Sequence, residues 1–270
     1  MTLDRIHAQG MVLLGCGKMG SALLAGWLAR GIPASNVHVI EPHPSDWLRD
    51  SGVALNGAVP DAPAVVVLAV KPQMMGDALP ALQSLGNGQT LFLSIAAGTP
   101  LARFGDILGQ QTPIIRAMPN TPAAVGRGIT ALIGNAHVSE PDMEMAESLL
   151  AAVGQTLRLE NESQMDAVTA VSGSGPAYVF HLIEAMARAG ESQGLSPDMA
   201  MQLARATVTG AAALAQDSTE TAAQLRVNVT SPGGTTAAAL AVLMDEADGL
   251  PPLMVRAIGA AADRSRELAQ

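Results

Sequence analysis

Lysine is nearly absent from this chain: of 15 basic residues only Lys18 and Lys71 are lysines. Acidic residues outnumber basic ones 24 to 15, for a formal net charge of −9. No basic stripe is left to neutralise phosphates, which excludes a nucleic acid as the expected partner. Cysteine occurs once, as Cys16, so there is no intrachain disulfide framework and a cytoplasmic location is the default. The histidines, His7, His38, His43, His137 and His181, show no metal-ligand spacing and join no Cys/His cluster, so no metal is implied. Long apolar runs are missing too. Neither Ala64 to Val70 nor Ala237 to Met244 approaches the ~20 residues that a membrane span needs. Met1 to Gly10 carries Asp4, Arg5 and His7 where a signal peptide would have an apolar core, so no membrane partner is expected.

What is present is apolar. Hydrophobic residues make up 49% of 270 positions and charged ones 14%. That suits one large or two modest domains with ample cores. It also means either that helix faces are buried against a partner subunit or that the surface is unusually apolar.

The first half alternates strand and helix patterns. Met11 to Gly15 reads as a short strand, runs into Gly15-Cys16-Gly17-Lys18-Met19-Gly20, and is followed by a helix over Ser21 to Arg30. Strand, G-x-G-x-x-G, helix is the phosphate-binding arrangement of a dinucleotide fold. Gly15 would make the turn, Gly17 would allow close approach of a pyrophosphate, and Gly20 would let helix pack on strand. Val37 to Ile40 is a second strand ending in Glu41. An acid there can accept the ribose hydroxyls of NADH and would repel a 2′-phosphate, or it can be a solvated strand-end carboxylate. Ala64 to Val70 is apolar throughout, as a strand buried on both faces should be, and it ends at Lys71-Pro72-Gln73. Further strands are expected at Thr90 to Ser94, Thr112 to Ala117, Ile129 to Ile133 and Gln155 to Leu159, with helices at Pro72 to Ser84, Pro100 to Leu108 and Glu140 to Val153. The series predicts a parallel α/β sheet with ligands at the carboxyl ends of its strands.

After Glu160 only helical patterns remain: Ser163 to Ala170, Pro176 to Gly190, Pro197 to Ala215, Thr219 to Val227, Thr235 to Asp245 and Pro251 to Ala269. The expected architecture is a Rossmann-type α/β domain over residues 1–160 followed by an all-α domain over 161–270. Within the second half, Asn228-Val229-Thr230-Ser231-Pro232-Gly233-Gly234-Thr235-Thr236 precedes an apolar helix. Ser231 as N-cap and Pro232 in the first turn would leave the backbone N–H groups of the glycines free to take a carboxylate. An ordinary capped helix explains the same residues. Ser172-Gly173-Ser174-Gly175-Pro176 looks like a nucleophile elbow but lies between helices, not between strand and helix. Close approach of two helices, or of a helix and a ligand, accounts better for its small residues.

Taken together, the motifs resemble the pyrroline-5-carboxylate reductase family. The resemblance covers nearly the whole chain and rests on Gly15 to Gly20, Ala69 to Gln73, Ser94 to Gly98, Arg116 to Pro122, Val171 to Tyr178 and Val229 to Thr236, in that order. It implies hydride transfer from NADPH or NADH to C5 of the cyclic imine 1-pyrroline-5-carboxylate, giving L-proline. It also implies dimerisation through the helical domain, often into a decamer of five dimers. By the same resemblance Gly15, Cys16, Gly17, Lys18, Met19, Gly20, Glu41, Asn56, Ala69, Val70, Lys71, Pro72, Ala96 and Ala97 hold the cofactor. Glu162, Asn228, Ser231, Gly233, Gly234, Thr235 and Thr236 surround the substrate, and Thr236 is the catalytic residue. Some family members carry Asn, Ser or Arg near the end of the second strand, where this chain has Glu41-Pro42-His43; that difference sets NADH against NADPH preference.

The chemistry agrees with the residues present. A cyclic imine that arrives protonated needs orientation, a nearby hydride and a donor to its ring nitrogen, so no acid–base histidine is required. Two other readings compete. A hydroxyacid dehydrogenase of similar layout would need a lysine in its helical domain, and none follows Lys71. A nucleotide-sensing protein without turnover would not need the Ser231–Thr236 cradle.

Overall fold

The computed structural model describes residues 3–268. In chain order its elements begin with α1 (Asp4–Gln9), β1 (Met11–Leu14), α2 (Lys18–Ala29), β2 (Val37–Ile40), α3 (Asp46–Asp50), β3 (Ala54–Leu55) and β4 (Val65–Leu68). There follow α4 (Met75–Ala78), β5 (Leu91–Ser94), α5 (Leu101–Leu108), β6 (Ile114–Met118), β7 (Gly128–Gly134), α6 (Glu140–Leu150), β8 (Gly154–Arg158) and α7 (Met165–Val168). The remainder is α8 (Gly175–Ser192), α9 (Pro197–Asp217), α10 (Ala222–Asn228), α11 (Thr235–Leu243) and α12 (Leu250–Leu268).

The strands form one sheet in the order β3-β2-β1-β4-β5-β6-β7-β8. β3 through β6 run parallel, β7 pairs antiparallel with β6, and β8 pairs parallel with β7. The chain leaves β1 toward β2 on one side and returns to β4 on the other, so the switch point where such sheets bind ligands lies at the carboxyl ends of β1 and β4.

Side-chain alternation along the strands builds two apolar layers. Met11, Leu13, Val65, Val67, Leu91 and Leu93 pack with Leu23, Leu24 and Trp27 of α2 and Met145, Leu149 and Leu150 of α6. Val12, Leu14, Val66, Leu68 and Phe92 pack on the other side with Leu79, Leu82, Phe104 and Leu108. Because neighbours in each strand serve opposite layers, β1, β4 and β5 are buried at every position. The indole of Trp27 stays satisfied in this core by donating to the Leu149 carbonyl at 2.9 Å.

Several expectations are corrected. Pro72 to Ser84 is not one helix but 3₁₀ turns on either side of α4, Pro72–Met74 and Leu79–Leu85. Pro80 removes a donor and crowds the preceding turn, which stops an α-helix from running through. Ser163 to Ala170 is a 3₁₀ turn, the short α7 and then a π-helical turn over Thr169–Gly173. The sheet is not parallel to its end, since β7 reverses direction.

The chain divides into two compact units. One runs to Gly173 and takes in the chain again from Ala262; the other is Ser174–Ala261. By compactness, then, the first unit takes in the π-helical turn and the last turns of α12. Ser265, 5% exposed, donates to Asp166 at 2.6 Å, which fastens that terminal segment to α7. The second unit has a small core of Ala187, Ala200 and Ala204 with Ile183 and Leu195. Its larger apolar side chains, among them Phe180, Leu182, Leu203, Leu214 and Val242, are exposed.

Candidate functional site

At the carboxyl end of β1, Gly15 has φ +89°, and a Cβ there would stand 2.8 Å from Val70 Cγ1 and 2.9 Å from the Val70 nitrogen. Glycine is required both by the left-handed backbone and by the close passage of the Ala69–Val70 strand end. Gly20 lies in the first turn of α2, where a Cβ would be 2.5 Å from the Gly15 carbonyl oxygen. Helix and strand meet there with no room for a side chain. Gly17 is different: a Cβ would meet nothing within 4 Å. Its bareness serves neither turn nor packing, and it leaves the face of the loop open for something outside the chain. Gly17 is also the N-cap of α2 and lends no side-chain hydrogen bond, so the first N–H groups of that helix are left to an anion. Gly15 makes the turn and Gly20 lets helix pack on strand, as expected, while Gly17 leaves room where the expected pyrophosphate would approach.

The other residues expected to face the nucleotide lie on the same edge. Glu41 follows β2, Ala69 to Pro72 follow β4, and Ala96 and Ala97 follow β5. Lys18 and Lys71 are both exposed there, and Met19 is half-buried against the core below α2. Glu41 is turned toward the phosphate loop: Oε2 accepts the Cys16 N–H at 2.8 Å and Oε1 accepts the His43 N–H at 3.0 Å. Asn56, in the left-handed region at φ 54°, clamps the backbone of Glu41 from both sides, accepting from its N–H and donating to its carbonyl, each at 2.8 Å. Asn56 thus holds the acid in register. Burial, together with the nearby Glu41 charge, pushes the Cys16 thiol up to about 11.

In the helical unit Ser231 is not the N-cap. Ser231-Pro232-Gly233-Gly234 is a turn in which the Gly234 N–H bonds the Ser231 carbonyl at 3.0 Å and Gly233 has φ +68°, as a type II turn with Pro then Gly at its centre requires. Gly234 becomes the N-cap, without a side-chain hydrogen bond, and α11 begins at Thr235. The free helix-start N–H groups are therefore those of Thr235, Thr236 and Ala237, two residues later than the sequence pattern placed them. Thr236 is half-buried in this first turn and Thr235 exposed. Among the described residues no hydrogen-bond partner is found for the Thr236 hydroxyl. Asn228 closes α10, where its amide accepts from Gln224 and donates to Glu220, each at 2.8 Å.

Glu162 belongs to the sheet unit, not to the helical one. Its Oε1 accepts from Arg116 Nη1 and from the Leu101 N–H, both at 2.8 Å. Arg116 carried the resemblance only as part of a motif; its role as a buried partner had no sequence signal, since 46 residues separate the pair. Asn120 was likewise missed. It accepts from the Ile129 N–H at 3.0 Å and donates to Ser172 Oγ at 3.3 Å, tying the end of β6 to the π-helical turn. The small residues of that turn allow close passage of Met118, whose Cε would stand 2.6 Å from a Cβ at Gly173. Among the described residues no group of three His, Cys, Asp or Glu side chains could hold a metal ion, and no helix is long and apolar enough to cross a membrane.

Residues 162–268 match the family Pyrroline-5-carboxylate reductase dimerisation, and residues 11–98 match NADP oxidoreductase coenzyme F420-dependent. A pyrroline-5-carboxylate reductase of Pseudomonas aeruginosa is 44% identical over 267 residues, covering 96% of this chain and 97% of the relative. A solved pyrroline-5-carboxylate reductase of Coxiella burnetii superposes with TM-score 0.90 at 35% identity over 97% of this chain and 99% of that one. The Plasmodium falciparum pyrroline carboxylate reductase, solved with NADP bound, gives TM-score 0.82 at 28% identity over 97% and 98%. With a phosphate loop at the switch point and relatives this similar over almost its whole length, the chain belongs to the pyrroline-5-carboxylate reductase family.

Proposed function

We infer that this protein reduces 1-pyrroline-5-carboxylate to L-proline with NADPH or NADH, the last step in making that amino acid. The observation that carries the reading is the extent of the likeness: 96% of the chain aligns with the Pseudomonas aeruginosa reductase, from the sheet unit through the helical one. Bound at the switch point, the dinucleotide supplies a hydride. The chain supplies position and electrostatics. In the proposed cradle the N–H groups at the start of α11, with Ser231, hold the substrate carboxylate, and the bare Gly233 and Gly234 leave room for its approach. The Thr236 hydroxyl donates to the ring nitrogen. A protonated imine has no lone pair there. As hydride bonds to C5, the C=N π pair returns to nitrogen and the threonine gains its acceptor, so this hydrogen bond belongs mainly to the transition state. Asn228 borders the cradle through α10. Glu162, also expected beside the substrate, accepts from Arg116 and from the Leu101 N–H through Oε1.

The helical unit works as a homodimer, extended in some assemblies to five dimers, and the protein acts in the cytoplasm. Its exposed Leu, Met, Val and Phe side chains support the first statement; the lone cysteine supports the second.

The test is to follow NADH and NADPH absorbance on adding the imine, with the parent and with Thr236→Val. The substitution keeps shape and removes one hydroxyl. It should lower kcat and kcat/KM by about one to two decades, the equivalent of roughly 1.5–3 kcal/mol, with dinucleotide affinity unchanged. A parent that consumes no cofactor ends the reductase reading. A variant as fast as the parent ends the role given to Thr236.

A further inference from the structure

The loop between β5 and α5, Ile95–Pro100, is pinned at both ends by side chains, one from the adjoining strand end and one from 61 residues away. At its start Ser94, fully buried, accepts the Ala96 N–H at 3.3 Å. At its end α5 has proline as N-cap, which has no side chain able to accept a hydrogen bond. Glu162 supplies the missing acceptor to the Leu101 N–H. The carboxylate is aimed in turn by Arg116, 5% exposed, on β6 directly beside Ser94 in the sheet. Between the two pins Gly98 has φ +73°, and a Cβ there would be 3.6 Å from the Leu268 carbonyl oxygen at the end of α12. Ala96 and Ala97 are thus presented on a loop whose two ends are fixed by the Arg116–Glu162 pair and the neighbouring serine. A buried guanidinium keeps its place only while its partner is charged, so the pair is a rigid strut and not a free pair of ligands.

We propose that Arg116 and Glu162 are positioning residues, which set the Ala96–Gly98 loop against the nicotinamide half of the bound dinucleotide, and that Glu162 is not a substrate ligand. The inference rests on the proposed cofactor role of that loop. Glu162 acts through Leu101, and Arg116 acts through Glu162. The nicotinamide half should therefore sense the pair, while the ADP half, held by the glycine loop, should not.

The experiment titrates the full-length protein with NADH and with ADP-ribose, which lacks the nicotinamide, and measures imine KM at saturating NADH. For Glu162→Gln the NADH Kd should rise about tenfold, as loss of loop positioning commonly costs, while ADP-ribose Kd and imine KM stay within about twofold. The double variant Arg116→Met with Glu162→Gln, which leaves no buried charge unpaired, should regain part of the NADH affinity. A rise in imine KM with unchanged NADH affinity makes Glu162 a substrate ligand and overturns the proposal. Equal losses of NADH and ADP-ribose reduce the pair to general stability and overturn it as well, as does no change at all. The underlying cofactor reading fails separately: it falls if Gly17→Val binds ADP-ribose as the parent does.

Discussion

In the sheet unit β1, β4 and β5 are buried along their whole length; in the helical unit α9, with 21 residues, buries only Ala200 and Ala204. The two halves use apolar residues for opposite ends. In the first, each residue of these three strands has a layer of helices to enter. In the second, Phe180 is 61% and Leu203 51% exposed, more apolar surface than a monomer normally presents to water. The stability of such a unit depends on the concentration of its partner. Low charge content, visible over the whole chain, is thus explained by one half only.

The sharpest way to break this contrast is at the glycine loop. Gly17→Val places a β-branched side chain in open space, so the sheet unit should stay folded and lose dinucleotide binding completely, as read by circular dichroism and an NADH titration. An unfolded variant, or one with parental affinity, would mean that Gly17 is there for the fold. The next effect is on assembly. Phe180→Asp should turn the oligomer into monomers or aggregates in light scattering while ADP-ribose binding by the sheet unit persists. A parent that is already monomeric and fully active at assay dilution would remove the distinction between the halves. The smallest effect concerns Glu41. Held by Cys16 and His43 at the lip of the phosphate loop, its charge opposes a 2′-phosphate, and no arginine nearer in sequence than Arg49 offsets it. kcat/KM should favour NADH, and Glu41→Ser should narrow the ratio by about tenfold, or ~1.4 kcal/mol, as expected for one partly screened charge. A parental preference for NADPH would show the carboxylate to be silent toward the ribose.

How far the sequence could be read follows from how local each signal is. The strands β1, β4 and β5 announce themselves because burial on two faces makes an uninterrupted apolar run. The glycine loop was legible because its three glycines fall within six residues of a strand end, and Gly15 and Gly20 each have a steric reason there. The reversal of β7 was not, since a strand pattern carries no direction. Ser231-Pro232-Gly233-Gly234 satisfied a capping rule and a turn rule alike, and only the positive φ of Gly233 decides for the turn. The same choice moves the anion-facing N–H groups to Thr235–Ala237 but leaves Thr236 in the first turn. Glu162 was named through the family resemblance alone; its partners Arg116 and Leu101 lie 46 and 61 residues away, beyond any local pattern.

Cys16 stands in the phosphate loop with its N–H given to Glu41 and its thiol pushed up to about 11. At neutral pH a thiol so held is ionised in only about one molecule in 10⁴. Since peroxide and disulfide exchange attack through the thiolate, the single sulfhydryl of this protein sits beside its cofactor loop in a nearly inert form. Oxidants that act on thiolates therefore find little to attack at the edge of this loop.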